Sequence, residues 1–117
     1  MEVLKLLIKS KSFEEVISGK RKLEVREITP STQSKYLIVT PNEVTIKLYD
    51  AIRFVAGNEP DAPEALVKVE KTELDFEPDE EGYIQLYEEG KALYIEGGEM
   101  YYTLGEILET KNIHRFS

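Results

Sequence analysis

Polar and apolar positions alternate with a period of two along much of this chain, the spacing of a half-buried strand. The clearest run is Leu66-Val67-Lys68-Val69-Glu70-Lys71-Thr72-Glu73-Leu74, inside a strand expected over Ala65 to Phe76. Residues 2–9, rich in Val, Leu and Ile, predict a first strand. Residues 21–28 predict another, with Leu23 and Val25, and Arg21 grouped with them, on one side and Lys22, Glu24 and Arg26 on the other. Tyr49 to Val55, residues 83–88, residues 91–96 and Tyr101 to Leu108 read as four more. Tyr36 to Val39 and Val44 to Leu48, either side of Pro41-Asn42, suggest a hairpin.

One segment breaks the alternation. Phe13, Val16 and Ile17 have the i, i+3, i+4 spacing of a buried helix face. Ser12-Phe13-Glu14-Glu15 fits a capping box with Ser12 as N-cap and Glu15 at N3. Gly19 is placed to end this helix, because glycine takes the left-handed conformation at little cost. Thr29-Pro30-Ser31 ends the strand that follows, and residues 31–37 leave room for a turn of helix. The pattern predicts an α+β, mainly β fold. It is a small mixed or antiparallel β-barrel with a short helix between the first two strands, forming one domain over residues 1–117.

Composition narrows the chemistry. A chain of 117 residues, 41% hydrophobic, is enough for one packed core. With no cysteine, disulfides, thiolate metal sites, Fe–S clusters and thiol catalysis are excluded. The net charge of −8 is unevenly spread: residues 1–26 hold seven basic and four acidic side chains, so the remainder carries −11. Such a surface disfavours duplex DNA but leaves a local basic patch for a short strand, a nucleotide or a small anion. The apolar stretch of Met1 to Lys9 is too short and too interrupted by charge for a signal sequence, and no run approaches a membrane span. Lipidation motifs are absent, so a cytoplasmic location without membrane contact is expected.

The segment Gly19-Lys20-Arg21-Lys22-Leu23-Glu24-Val25-Arg26 resembles the signature of the ASCH family, a branch of the PUA-like superfamily. That signature is Gly-x-Lys-x-x-Glu-x-Arg after a short helix carrying a Phe and an Ile, here Phe13 and Ile17. Tyr49-Asp50-Ala51-Ile52-Arg53-Phe54, Ala65-Leu66-Val67-Lys68-Val69 and the closing Tyr101 to Leu108 are similar to later strands of small bacterial members. The resemblance runs in order from about residue 3 to residue 109, more loosely over 31–48 and 77–99.

The resemblance implies a PUA-like barrel whose cleft binds RNA or a modified-nucleoside-like ligand, and no metal or cofactor is expected because the sequence has no P-loop, dinucleotide fingerprint or HExxH. Gly19, Arg21, Glu24 and Arg26 would be its ligand-binding residues. It also implies an alternative, since some small bacterial members are amidohydrolases of N4-acetylcytidine that use a lysine, a threonine and a glutamate. Here the motif lysine is Arg21 and the threonine position is Glu24. An arginine stays protonated and cannot serve as a general base. The remaining catalytic candidates are Lys20, Lys22 and Glu24, and a lysine base would need burial or cationic neighbours. A third reading is a protein-interaction module whose contact face is the acidic surface from residue 27 onward.

Bland readings compete with each of these. Glu24 and Arg26 could belong to a structural ion-pair network, and Lys20-Arg21-Lys22 could be a solvated turn at a helix end. Tyr83, Tyr87, Tyr94, Tyr101 and Tyr102 fit half-buried barrel positions better than base-stacking platforms. Asp79-Glu80-Glu81 and Glu88-Glu89 read as solvated acidic turns without cation-loop spacing. His114, the single histidine, has no nucleophile elbow beside it.

Overall fold

The computed structural model describes residues 1–113, so His114 lies outside the described residues. The chain is mainly β with one short helix near its start. Its elements are β1 (Val3–Leu7), α1 (Ser10–Ile17), β2 (Leu23–Glu27), α2 (Gln33–Tyr36), β3 (Leu37–Val39), β4 (Val44–Ile46), β5 (Ala51–Val55), β6 (Glu64–Asp75), β7 (Leu86–Glu89), β8 (Ala92–Ile95) and β9 (Glu99–Lys111). The expected hairpin around Pro41-Asn42 is the antiparallel pair β3–β4, and β7–β8 forms a second small antiparallel sheet. The remaining strands form a five-stranded sheet of order β1-β5-β6-β9-β2. That sheet is mixed: β1 runs parallel to β5, and β5 antiparallel to β6.

The residues group into two units, residues 1–24, 49–71 and 102–117 in the first, 25–48 and 72–101 in the second. In the first unit β5 is covered on both faces. Ala51, Ile52, Phe54 and Val55 are all buried, which explains why this strand reads as a continuous apolar run interrupted only by Arg53. Phe13 and Val16 seal α1 against this core, together with Leu4, Leu6, Val67 and Tyr102. Burying an apolar side chain of this size contributes about 1.5–3 kcal/mol. The helix therefore holds by packing rather than by capping. Its N-cap is Lys9, three residues before the expected Ser12, and Lys9 makes no side-chain cap. The Phe13 N–H bonds the Lys9 carbonyl, so the frame that buries Phe13 overrides the local capping signal.

In the second unit Ile28, Tyr36, Leu37, Ile95 and Met100 are buried, and so is one neutral polar side chain, Gln33. Gln33 uses its amide as a substitute peptide. Its Nε2 donates to the Leu93 carbonyl at 3.0 Å, and its Oε1 accepts from the Ile95 N–H at 2.8 Å. The edge of β8 is thus satisfied without another strand.

Candidate functional site

The C-terminus of α1 sets up the site. Gly19 has φ +77°, as expected for the residue that stops the helix. Its N–H bonds the Val16 carbonyl, and the Arg21 N–H reaches back to the Glu15 carbonyl. Two carbonyls at the helix end are satisfied in this way. The reversal also folds residue 21 over the last turn, bringing its side chain to Glu15.

Arg21 lies two residues ahead of β2 rather than on its apolar side, and its guanidinium is held by two carboxylates. Nη2 lies 3.0 Å from Glu15 Oε1 and Nη1 lies 3.0 Å from Glu24 Oε1. Burial lowers the Arg21 pKa and is the largest single influence. The hydrogen bonds and charges of Glu15 and Glu24 together outweigh it and hold the group above its ordinary value. The Nε–H is buried and has no acceptor among the described residues.

Along β2 the alternation is kept, and its polar side is the buried one. Leu23 and Val25 are 45% and 38% exposed, whereas Glu24 is 4% exposed. Pairing with β9 explains the direction. The Leu104 N–H bonds the Lys22 carbonyl and the Ile28 N–H bonds the Gly98 carbonyl, so numbers rise on one strand as they fall on the other. That antiparallel register puts Glu24 directly across from Tyr102, which is fully buried. Burying a carboxylate costs several kcal/mol unless it is paired, and the Arg21 guanidinium supplies the pairing.

Next to this cluster is a surface pocket of about 270 Å³. Val16, Ile17, Val67, Leu104 and Ile107 give it apolar walls, while Gly19, Arg21 and Lys22 line the helix-end side. Lys22 folds back towards Gly19, its Nζ 3.8 Å from where a Cβ on residue 19 would sit. Gly105 also lines the pocket, and a methyl group there would collide with the Glu70 carboxylate.

Of the residues singled out from sequence, Gly19, Arg21, Lys22 and Glu24 are brought together. Lys20 and Lys22 are both exposed, without the burial that a lysine base requires. Lys20 instead lines a charged surface pocket of about 580 Å³ with Lys11, Glu14 and Glu15. Arg26 is half-buried and belongs to the second unit. Sequence reasoning placed Glu15 at a helix N-terminus and missed its pairing with Arg21. The six-residue spacing across a glycine stop was the available signal. Nothing local in the sequence brings Val67 or Leu104 to Ile107 to this pocket, because those approaches depend on strand order.

The tyrosines divide. Tyr36 and Tyr102 are buried, Tyr83 is 67% exposed, and Tyr87 and Tyr94 face each other across β7–β8 with ring centroids 5.7 Å apart. Among the described residues no group of three or more His, Asp or Glu gathers as metal ligands, and no helix is long and apolar enough to cross a membrane. No protein-family model matches the chain, and no curated protein or solved structure matches it either.

Proposed function

We propose that the chain is an ASCH-type, PUA-like module that takes a single nucleobase-like ligand, a free modified nucleoside or a splayed-out base of RNA, into the pocket beside Gly19, Arg21 and Lys22. The observation that carries this reading is the inverted strand. A segment with two aliphatic side chains turns them to solvent and buries a glutamate instead. Local rules of this kind are broken chiefly where a site needs the exception. The apolar walls suit the face of a planar ring, and Lys22 suits a carbonyl or phosphate oxygen at the rim. Arg21 fixes Glu24 at the edge of the pocket. The volume lies just below the range of about 300–1,000 Å³ usual for small-molecule sites, so one base fits the space better than an oligonucleotide track.

The test is thermal unfolding across nucleosides, acylated nucleosides and short single-stranded RNAs, with product analysis of each mixture. A ligand at a hundred times its Kd stabilises the protein by about 2.7 kcal/mol. Lys22→Glu should remove that shift while leaving the melting of the unliganded protein nearly unchanged, since Lys22 is exposed. Acyl release that depends on Lys22 would assign turnover rather than binding alone. No shift with any member of the panel would overturn the reading.

A further inference from the structure

The second unit carries a pocket of its own, of about 380 Å³, that the nucleobase reading does not use. Its apolar walls are Pro41 and Val44 from the β3–β4 hairpin, Phe76, Tyr83 and Ile84 from the segment between β6 and β7, and Leu86 at the start of β7, and Asn42 and Glu43 add polar lining on the hairpin side. Both walls are braced by short-range hydrogen bonds. On one side the Thr40 N–H bonds the Glu43 carbonyl, and Thr40 Oγ1 accepts the Glu43 N–H. On the other, Asp79 Oδ1 accepts the N–H groups of Glu81 and Tyr83, each at 2.9 Å, while Pro78 bridges Ile84. The turn is therefore fixed with Glu80 and Glu81 outward and Tyr83 exposed at the pocket rim.

Charge decides what such a pocket accepts. The second unit holds twelve acidic side chains against four basic ones, while the first holds eleven of each. The whole net charge of −8 therefore sits in the second unit. Around the pocket, Glu43, Glu77, Glu80 and Glu81 are exposed, and none forms an ion pair among the described residues. Uncompensated like charges repel one another and attract a cationic partner. A preformed cavity with apolar walls on both sides, inside such a rim, also accommodates an uncharged anchor side chain.

From these features we propose that the second unit docks a basic segment of a partner protein. A leucine or aromatic side chain of that segment fills the pocket between Val44, Phe76 and Tyr83, and flanking lysines or arginines lie over Glu43, Glu80 and Glu81. This proposal stands independently of ligand binding in the first unit.

The experiment uses the full chain and fluorescent synthetic peptides followed by anisotropy. One peptide has a phenylalanine flanked by lysines. A second replaces that phenylalanine by alanine, and a third replaces the lysines by glutamates. The first should bind about tenfold more tightly than the second, the usual loss on truncating an interface anchor, and the third should not bind. Tyr83→Ser should remove most of the difference between the first two. Glu80→Gln with Glu81→Gln should weaken the first several-fold and flatten its salt dependence. Both changes are at exposed positions, so circular dichroism should show the native fold. Equal binding of the phenylalanine and alanine peptides, binding of the acidic peptide, or no binding by any of them would overturn the proposal.

Discussion

The two units solve the problem of placing polar groups in opposite ways. The first has as many basic as acidic side chains and pairs many of them. Arg21 bridges Glu15 and Glu24, Arg53 bonds Glu64 at 3.3 Å with Glu109 at 4.0 Å, and Lys68 lies near Glu70. It even buries a charge. The second unit buries a neutral amide, Gln33, satisfied by backbone, and leaves the carboxylates of Glu43, Glu77, Glu80 and Glu81 exposed and without an ion pair among the described residues. A paired charge costs its neighbourhood little potential and fixes geometry, which suits a shaped pocket. An unpaired one keeps its field, which suits attraction of an opposite charge.

The contrast can be broken most severely at Arg21. Arg21→Ala should destabilise the protein by about 3 kcal/mol in urea unfolding, because the buried Glu24 loses the Arg21 guanidinium. Adding Glu24→Leu should recover much of that loss. A cost of less than about 0.5 kcal/mol for Arg21→Ala would reduce the pair to a surface salt bridge. Lys68→Ala, which removes an exposed pair, provides that reference within the same unit.

Gln33→Ala tests the other solution. It should cost about 1–3 kcal/mol by orphaning the Ile95 N–H and the Leu93 carbonyl. Hydrogen exchange at the Ile95 amide should speed up most, whereas amides of α1 should change far less. Uniform acceleration everywhere would show that the bond acts only through global stability.

The smallest effect separates the units most sharply. Tyr49, in the first, has its pKa raised mainly by burial, with the charge of Glu2 second. Tyr101, in the second, has its pKa raised first by Glu99, then by burial and Asp75. Both phenols therefore bind their protons more tightly when folded. The resulting stability is fully present below about pH 10, the pKa of an unfolded tyrosine, and is lost as pH rises through the folded values. In an ultraviolet titration with Tyr49→Phe and Tyr101→Phe as assignments, added salt should lower the Tyr101 pKa more than the Tyr49 pKa. An equal response would refute the division between burial and charge.

Much of this architecture was legible from period alone. The strands, the β3–β4 hairpin, the short helix and its stop at Gly19 follow from alternation, i+3/i+4 spacing and glycine chemistry. The helix start was not legible, because the capping signal at Ser12 competes with the burial of Phe13, and burial stabilises more than a cap does. The two-sided pattern of β2 was readable, but its buried side was not. Leu23 and Val25 fit an interior by themselves, and only the β9 register, with Tyr102 across from Glu24, reverses the choice. The Glu15–Arg21 contact was hidden for a related reason: it depends on the reversal after Gly19, not on helix spacing.

The most direct test of the inverted strand as a ligand site is an amide chemical-shift titration of the full chain with the nucleoside and RNA panel. The account predicts shifts concentrated at Gly19, Lys22, Leu104, Gly105 and Ile107. Spectra that stay unchanged across the panel, or that change only at residues away from this pocket, would contradict it.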